Sequence, residues 1–135
     1  MKEVDLWVID DDKYRFKLLK DELEENNINI KIRQFDILYD AFQASGSPDF
    51  ILIDTSSIAG KFSMFANKKT LVSLSHRFAD EHKSSNFCFI CAVKSWANEL
   101  AGDIYEMFDK EIIFEVVEDT EEVIDWLKKY KGGIV

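Results

Sequence analysis

Three consecutive aspartates, Asp10, Asp11 and Asp12, close a short apolar run, and a fourth, Asp54, closes another that starts at Phe50. Carboxylates brought together repel one another unless they are protonated or bridged by a cation. Several hard oxygen donors with room for water suit Mg²⁺ or Mn²⁺ better than soft metals. A cation held in this way neutralises a phosphoryl group during its transfer. One aspartate at a strand end is ordinarily a solvated loop residue. An acidic cluster after one strand plus an acid after another points to a site, because open parallel sheets bind ligands beyond the carboxyl ends of their strands, where strand order reverses.

The elements that must position these acids are legible as short apolar runs alternating with helical patterns. The pattern predicts strands over 4–9, 28–35, 50–53, 87–93 and 112–117. Between them it predicts a helix carrying Phe16, Leu19 and Leu23 that ends near Asn26-Asn27, and further helices over 37–44, 67–82 and 97–108. The final helix starts at Asp119 as N-cap, with Glu122 completing a capping box, and its buried stripe is Val123, Leu127 and Tyr130. The segment 55–66 reads as a loop. Five strand–helix units in series give a parallel sheet covered by helices on both faces. The expected fold is therefore α/β, a flavodoxin-like three-layer sandwich with a five-stranded parallel sheet in the order 2-1-3-4-5. In that order the first and third strands are neighbours, and Asp10, Asp11 and Asp54 converge at the switch point.

The bulk properties agree with one cytoplasmic domain over 1–135. The chain has 135 residues, 47% of them hydrophobic, with 11 Phe and 3 Trp, enough to bury a core without disulfides. No apolar run has the length needed to cross a bilayer, and the acidic first residues do not read as a signal peptide. The net charge is −9 with no basic stripe, which argues against nucleic acid and for protein partners or a cation site. Cys88 and Cys91 have C-x-x-C spacing but lie in an apolar strand, so they read as core. His76 and His82 are not spaced to share a helical face as paired ligands. Trp126, beside Asp125 and Lys128, reads as lying near the exposed side of the last helix, where it can anchor a partner or a homodimer, although partial core burial explains it equally well. Trp7 and Trp96 are expected to report on the pocket.

The runs Leu6-Trp7-Val8-Ile9-Asp10-Asp11-Asp12 and Pro48-Asp49-Phe50-Ile51-Leu52-Ile53-Asp54 resemble the receiver domains of bacterial two-component response regulators. The resemblance covers nearly the whole chain and looks like the stand-alone members. It implies that Asp54 is the phosphoacceptor, that Asp11 ligates the metal directly, that Asp10 acts largely through water, and that the backbone carbonyl of Ser56 completes the metal shell. It also implies a sensor histidine kinase or phosphotransferase as phosphohistidine donor, a downstream protein partner, a homodimer through the fifth strand and last helix, and no enzymatic activity beyond self-catalysed phosphoryl transfer to and from Asp54.

The sequence departs from that pattern in its switching half. The family's Thr or Ser followed by Ala after the fourth strand is Cys91-Ala92 here, and a thiol is a weak hydrogen-bond donor. The family's Lys-Pro after the fifth strand is missing, since that strand ends Val116-Val117-Glu118. Lys94, just after the fourth strand, is near enough to reach the phosphoryl group, although a solvated surface lysine is the better reading. Two alternatives follow. One is a pseudo-receiver, an interaction module that works without phosphorylation. The other is a small haloacid-dehalogenase-like phosphatase, in which Asp10 and Asp12 form the acidic pair and Glu118-Asp119 a later one, although Tyr14 stands where that class has Thr or Val.

Overall fold

A computed structural model describes residues 4–54, 68–90 and 114–130. Five strands, β1 (Asp5–Ile9), β2 (Lys31–Phe35), β3 (Phe50–Asp54), β4 (Asn86–Ile90) and β5 (Phe114–Val117), form one sheet in the order β2-β1-β3-β4-β5. Every neighbouring pair is parallel. The helices are α1 (Lys13–Glu25), α2 (Leu38–Gln43), α3 (Lys68–Glu81) and α4 (Thr120–Tyr130). The expected fold and strand order are thus borne out. The helix expected over 97–108 and the loop over 55–66 lie outside the described residues.

Side-chain parity along the strands sorts the core into two layers. Leu6, Val8, Phe50, Leu52, Cys88 and Ile90 face one way, against Leu19 and Leu23 of α1 and Val123, Ile124, Trp126 and Leu127 of α4. Trp7, Ile9, Ile51, Ile53, Phe87 and Phe89 face the other way, against Leu38 and Ala41 of α2 and Phe78 and Ala79 of α3. Strands buried on both faces read as continuous apolar runs, which is why β1, β3 and β4 are plain in the sequence. β2 pairs on one side only, and its exposed Lys31 and Arg33 keep that edge charged.

Local signals place the helix ends. Asp12 is the N-cap of α1, and its side chain accepts the backbone N–H of Arg15 at 3.0 Å. α1 ends where Asn27 adopts a left-handed φ of 56°, and the Ile28 N–H closes back on the Leu23 carbonyl at 2.9 Å. At α4, Asp119 accepts the Glu122 N–H at 2.9 Å as expected, but the Glu122 carboxylate reaches the N–H of Glu118, one residue earlier than a capping box requires.

Of the two readings of Trp126, the structure selects core burial. Trp126 is buried and packs edge-on against Phe50 at 5.3 Å, so it cannot anchor a partner. α4 packs against α1 as well as the sheet, through Thr120 to Glu22 and Lys128 to Asn26, which buries a wider arc than one stripe. Trp7 is buried in the α2–α3 layer against Phe35 and His82, on the sheet face opposite α1. Trp96 lies outside the described residues. Cys88 is buried as expected, and burial pushes its thiol pKa up, out of the range of a reactive thiolate.

Candidate functional site

The acids reach one pocket because β1 and β3 are paired in register. Ile9 pairs with Ile53, so Asp10 and Asp54 each stand one residue further on, at the carboxyl ends of adjacent strands. Their even numbers place them in the parity of Leu6, Val8, Phe50 and Leu52, the face covered by α1. One carboxylate oxygen from each of Asp10, Asp11 and Asp54 lies within 4.8 Å of the others. Asp10 and Asp54 are buried and Asp11 is exposed. Three hard oxygen donors at that spacing fit a divalent cation of the Mg²⁺ or Mn²⁺ type.

A residue not singled out in the sequence completes the pocket. Arg15, in the first turn of α1, donates from Nε to Asp10 Oδ2 at 2.6 Å and from Nη2 to Asp10 Oδ1 at 3.0 Å. The same Nη2 lies 3.1 Å from Asp54 Oδ2. The guanidinium therefore joins the two buried carboxylates by charge-assisted contacts, bidentate on one of them. The hydrogen bond that Arg15 donates to Asp10, and that carboxylate's charge, raise the Arg15 pKa, with burial opposing them. The signal for it was present in the helical spacing. Arg15, Leu19 and Leu23 are four residues apart, so the arginine lies on the stripe that Leu19 and Leu23 turn inward. A charged residue on an inward stripe needs a partner.

The rest of Asp10 is also engaged. Its Oδ1 accepts the Asp12 N–H at 2.9 Å, its own N–H donates to the Phe35 carbonyl at 2.9 Å, and its carbonyl accepts from Gln34 Nε2 at 2.6 Å. Asp12 is exposed and spends its carboxylate on capping α1. That leaves it poorly placed to be the second acid of a phosphatase pair. Lys13 turns to the end of β2, where it meets Gln34 Oε1 at 2.9 Å and Asp36 at 2.7 Å. Ser56, Cys91, Ala92 and Lys94 lie outside the described residues. β5 ends at Val117, followed by exposed Glu118.

No family model matches the chain, and no curated protein does. Solved structures do. A response regulator from Thermotoga maritima superposes with a TM-score of 0.67 at 12% identity, over 98% of this chain and 100% of that one. The response regulator DrrB of Thermotoga maritima, an OmpR/PhoB homolog, gives 0.64 at 11% identity over 96% of this chain, which spans about half (52%) of that longer one. The response regulator TrrA of the same organism, in complex with Mg²⁺ and BeF, gives 0.62 at 18% identity over 93% of this chain and 97% of that one. At these identities the likeness speaks for the fold alone: the chain has the fold of response regulator receiver domains.

Proposed function

We propose that this chain is a signal-transduction receiver that accepts a phosphoryl group on Asp54 from a phosphohistidine donor, with a divalent metal ion, and thereby switches binding of a protein partner. The observation that carries the reading is the convergence of Asp10, Asp11 and Asp54 at the switch point of the sheet. Asp10, Asp11, Asp54 and the backbone carbonyl of Ser56 would hold Mg²⁺ or Mn²⁺. When bound, the cation supplies charge neutralisation for the transferred phosphoryl group. The Asp54 carboxylate attacks phosphorus, the phosphorus–nitrogen bond of the donor histidine breaks, and an acyl phosphate remains on Asp54. The donor is a sensor histidine kinase or phosphotransferase, and the setting is the cytoplasm. Among the described residues no helix is long and apolar enough to cross a membrane. Beyond self-catalysed transfer to and from Asp54 the chain performs no turnover. Cys91-Ala92 stands at the atypical switch position, and Lys94 remains a candidate phosphate contact.

Two observations favour a second reading, the phosphorylation-independent pseudo-receiver. Arg15 already partners Asp10 and Asp54, and the sequence lacks the lysine that pairs with the phosphoryl group in the family it resembles. Incubation with phosphoramidate and Mg²⁺, followed by intact mass spectrometry, decides between them. One added phosphoryl group on the wild type, absent from Asp54→Asn, supports the receiver. An unmodified wild type that also fails to bind beryllofluoride with Mg²⁺ leaves the pseudo-receiver.

A further inference from the structure

Arg15 does more than fill space beside the acids. Its guanidinium bridges Asp10 and Asp54, two of the carboxylates that a divalent cation would bridge. It takes both oxygens of Asp10. Among the described residues, the three carboxylates carry a formal charge of −3, and the guanidinium offsets one of those charges. Asp10 is only 2% exposed, and a carboxylate that deep needs a counter-charge. The pocket therefore has a charge partner of its own, supplied by an inward position of α1 rather than by solvent.

We infer that Arg15 is a resident cation of this pocket, whose ion pairs with Asp10 and Asp54 must break before a divalent metal ion binds, so that metal loading is coupled to release of the Arg15 side chain. The inference rests on the reading of Asp10, Asp11 and Asp54 as metal ligands. Its basis is competition for the same oxygens. A guanidinium and a metal ion both need the lone pairs of Asp10 and Asp54, and like charges packed onto one cluster repel. The apparent metal affinity is then the intrinsic affinity reduced by the stability of the Arg15 pairs. Arg15 thus sets the cation concentration at which the pocket loads, although it contacts neither the metal nor the phosphoryl group in doing so.

The test is Mg²⁺ binding to the full chain by isothermal titration calorimetry, for wild type, Arg15→Ala and Arg15→Lys, with thermal melting of each with and without Mg²⁺. Loss of charge-assisted hydrogen bonds to a competitor corresponds to about tenfold to a hundredfold tighter Mg²⁺ binding in Arg15→Ala. Arg15→Lys, which cannot form the bidentate pair, falls between. Mg²⁺ is expected to raise the Tm of Arg15→Ala by more than it raises that of wild type. If Arg15→Ala is unfolded alone, refolding on addition of Mg²⁺ supports the inference equally. Wild-type binding with equal or weaker binding in Arg15→Ala overturns it and leaves the receiver reading standing. So does an unfolded Arg15→Ala that Mg²⁺ does not rescue, with Arg15→Lys no tighter than wild type. Folded proteins that bind no Mg²⁺ in any of the three forms remove the metal reading itself, and the inference with it.

Discussion

Asp5 and Asp49 flank the amino ends of β1 and β3, while Asp10 and Asp54 flank the carboxyl ends of the same two strands. At the amino end, the Asp49 carboxylate accepts the Asp5 N–H at 2.9 Å, and the Asp49 N–H returns to the Asp5 carbonyl at 3.0 Å. The Asp49 carbonyl then takes the N–H of Asn86, which ties in β4. Parallel strands present N–H groups at their amino ends, so a carboxylate there finds donors in the backbone. At the carboxyl ends the strands present carbonyls, and two adjacent carboxylates need a cation instead. Among the described residues Arg15 supplies it. The same residue type is thus a structural clasp at one end of a strand pair and the partner of a buried arginine at the other, because the polarity of the backbone differs.

The largest effect that would break this contrast is loss of the counter-ion. Arg15→Ala removes the guanidinium that pairs with buried Asp10 and with Asp54, and breaking a buried pair in this way costs about 3–5 kcal/mol of stability, measured by urea denaturation. Adding Asp10→Asn to Arg15→Ala is expected to recover much of that loss, since it removes the orphaned charge. No recovery would mean that Arg15 acts by packing rather than by charge. At the amino end the cost is smaller. Asp49→Ala removes one acceptor from the Asp5 N–H and is expected to cost about 2 kcal/mol, while Asp49→Asn, which keeps an acceptor, costs under about 1 kcal/mol. Neither loss should respond to Mg²⁺, and a magnesium-dependent Asp49 variant would erase the distinction between the two ends.

The smallest effect sharpens the comparison through pH. His82 is buried just before β4, against Trp7 at 5.3 Å and Phe78 at 4.7 Å. Burial lowers its pKa below the ordinary 6.5, with Glu81 opposing. The folded protein therefore holds His82 neutral while the unfolded chain still takes up a proton, so stability is full above about pH 6.5 and declines as pH falls below it. Melting between about pH 5 and 8 is expected to show that decline in wild type and a flatter profile in His82→Gln. An unchanged profile in the variant would mean that His82 is not the group behind the pH dependence.

Much of the molecule was determined by the sequence alone. The apolar runs specified β1, β3 and β4, the alternation of strands and helices specified the layers, and the acids after two strands marked the switch point. Local signals placed the end of α1 near Asn26-Asn27, because helix termination involves neighbours a few residues apart. What only the tertiary structure decided was the pairing of groups distant in sequence. Asp10 and Asp54 meet through the register of β1 against β3, and Arg15 reaches both only because α1 docks on that face of the sheet. Trp126 is buried because α4 packs against α1 as well as against the sheet, which its charged neighbours Asp125 and Lys128 did not reveal. Periodicity tells which way a side chain points from its own element. Which charge waits at the other end depends on long-range docking, and no local pattern encodes that.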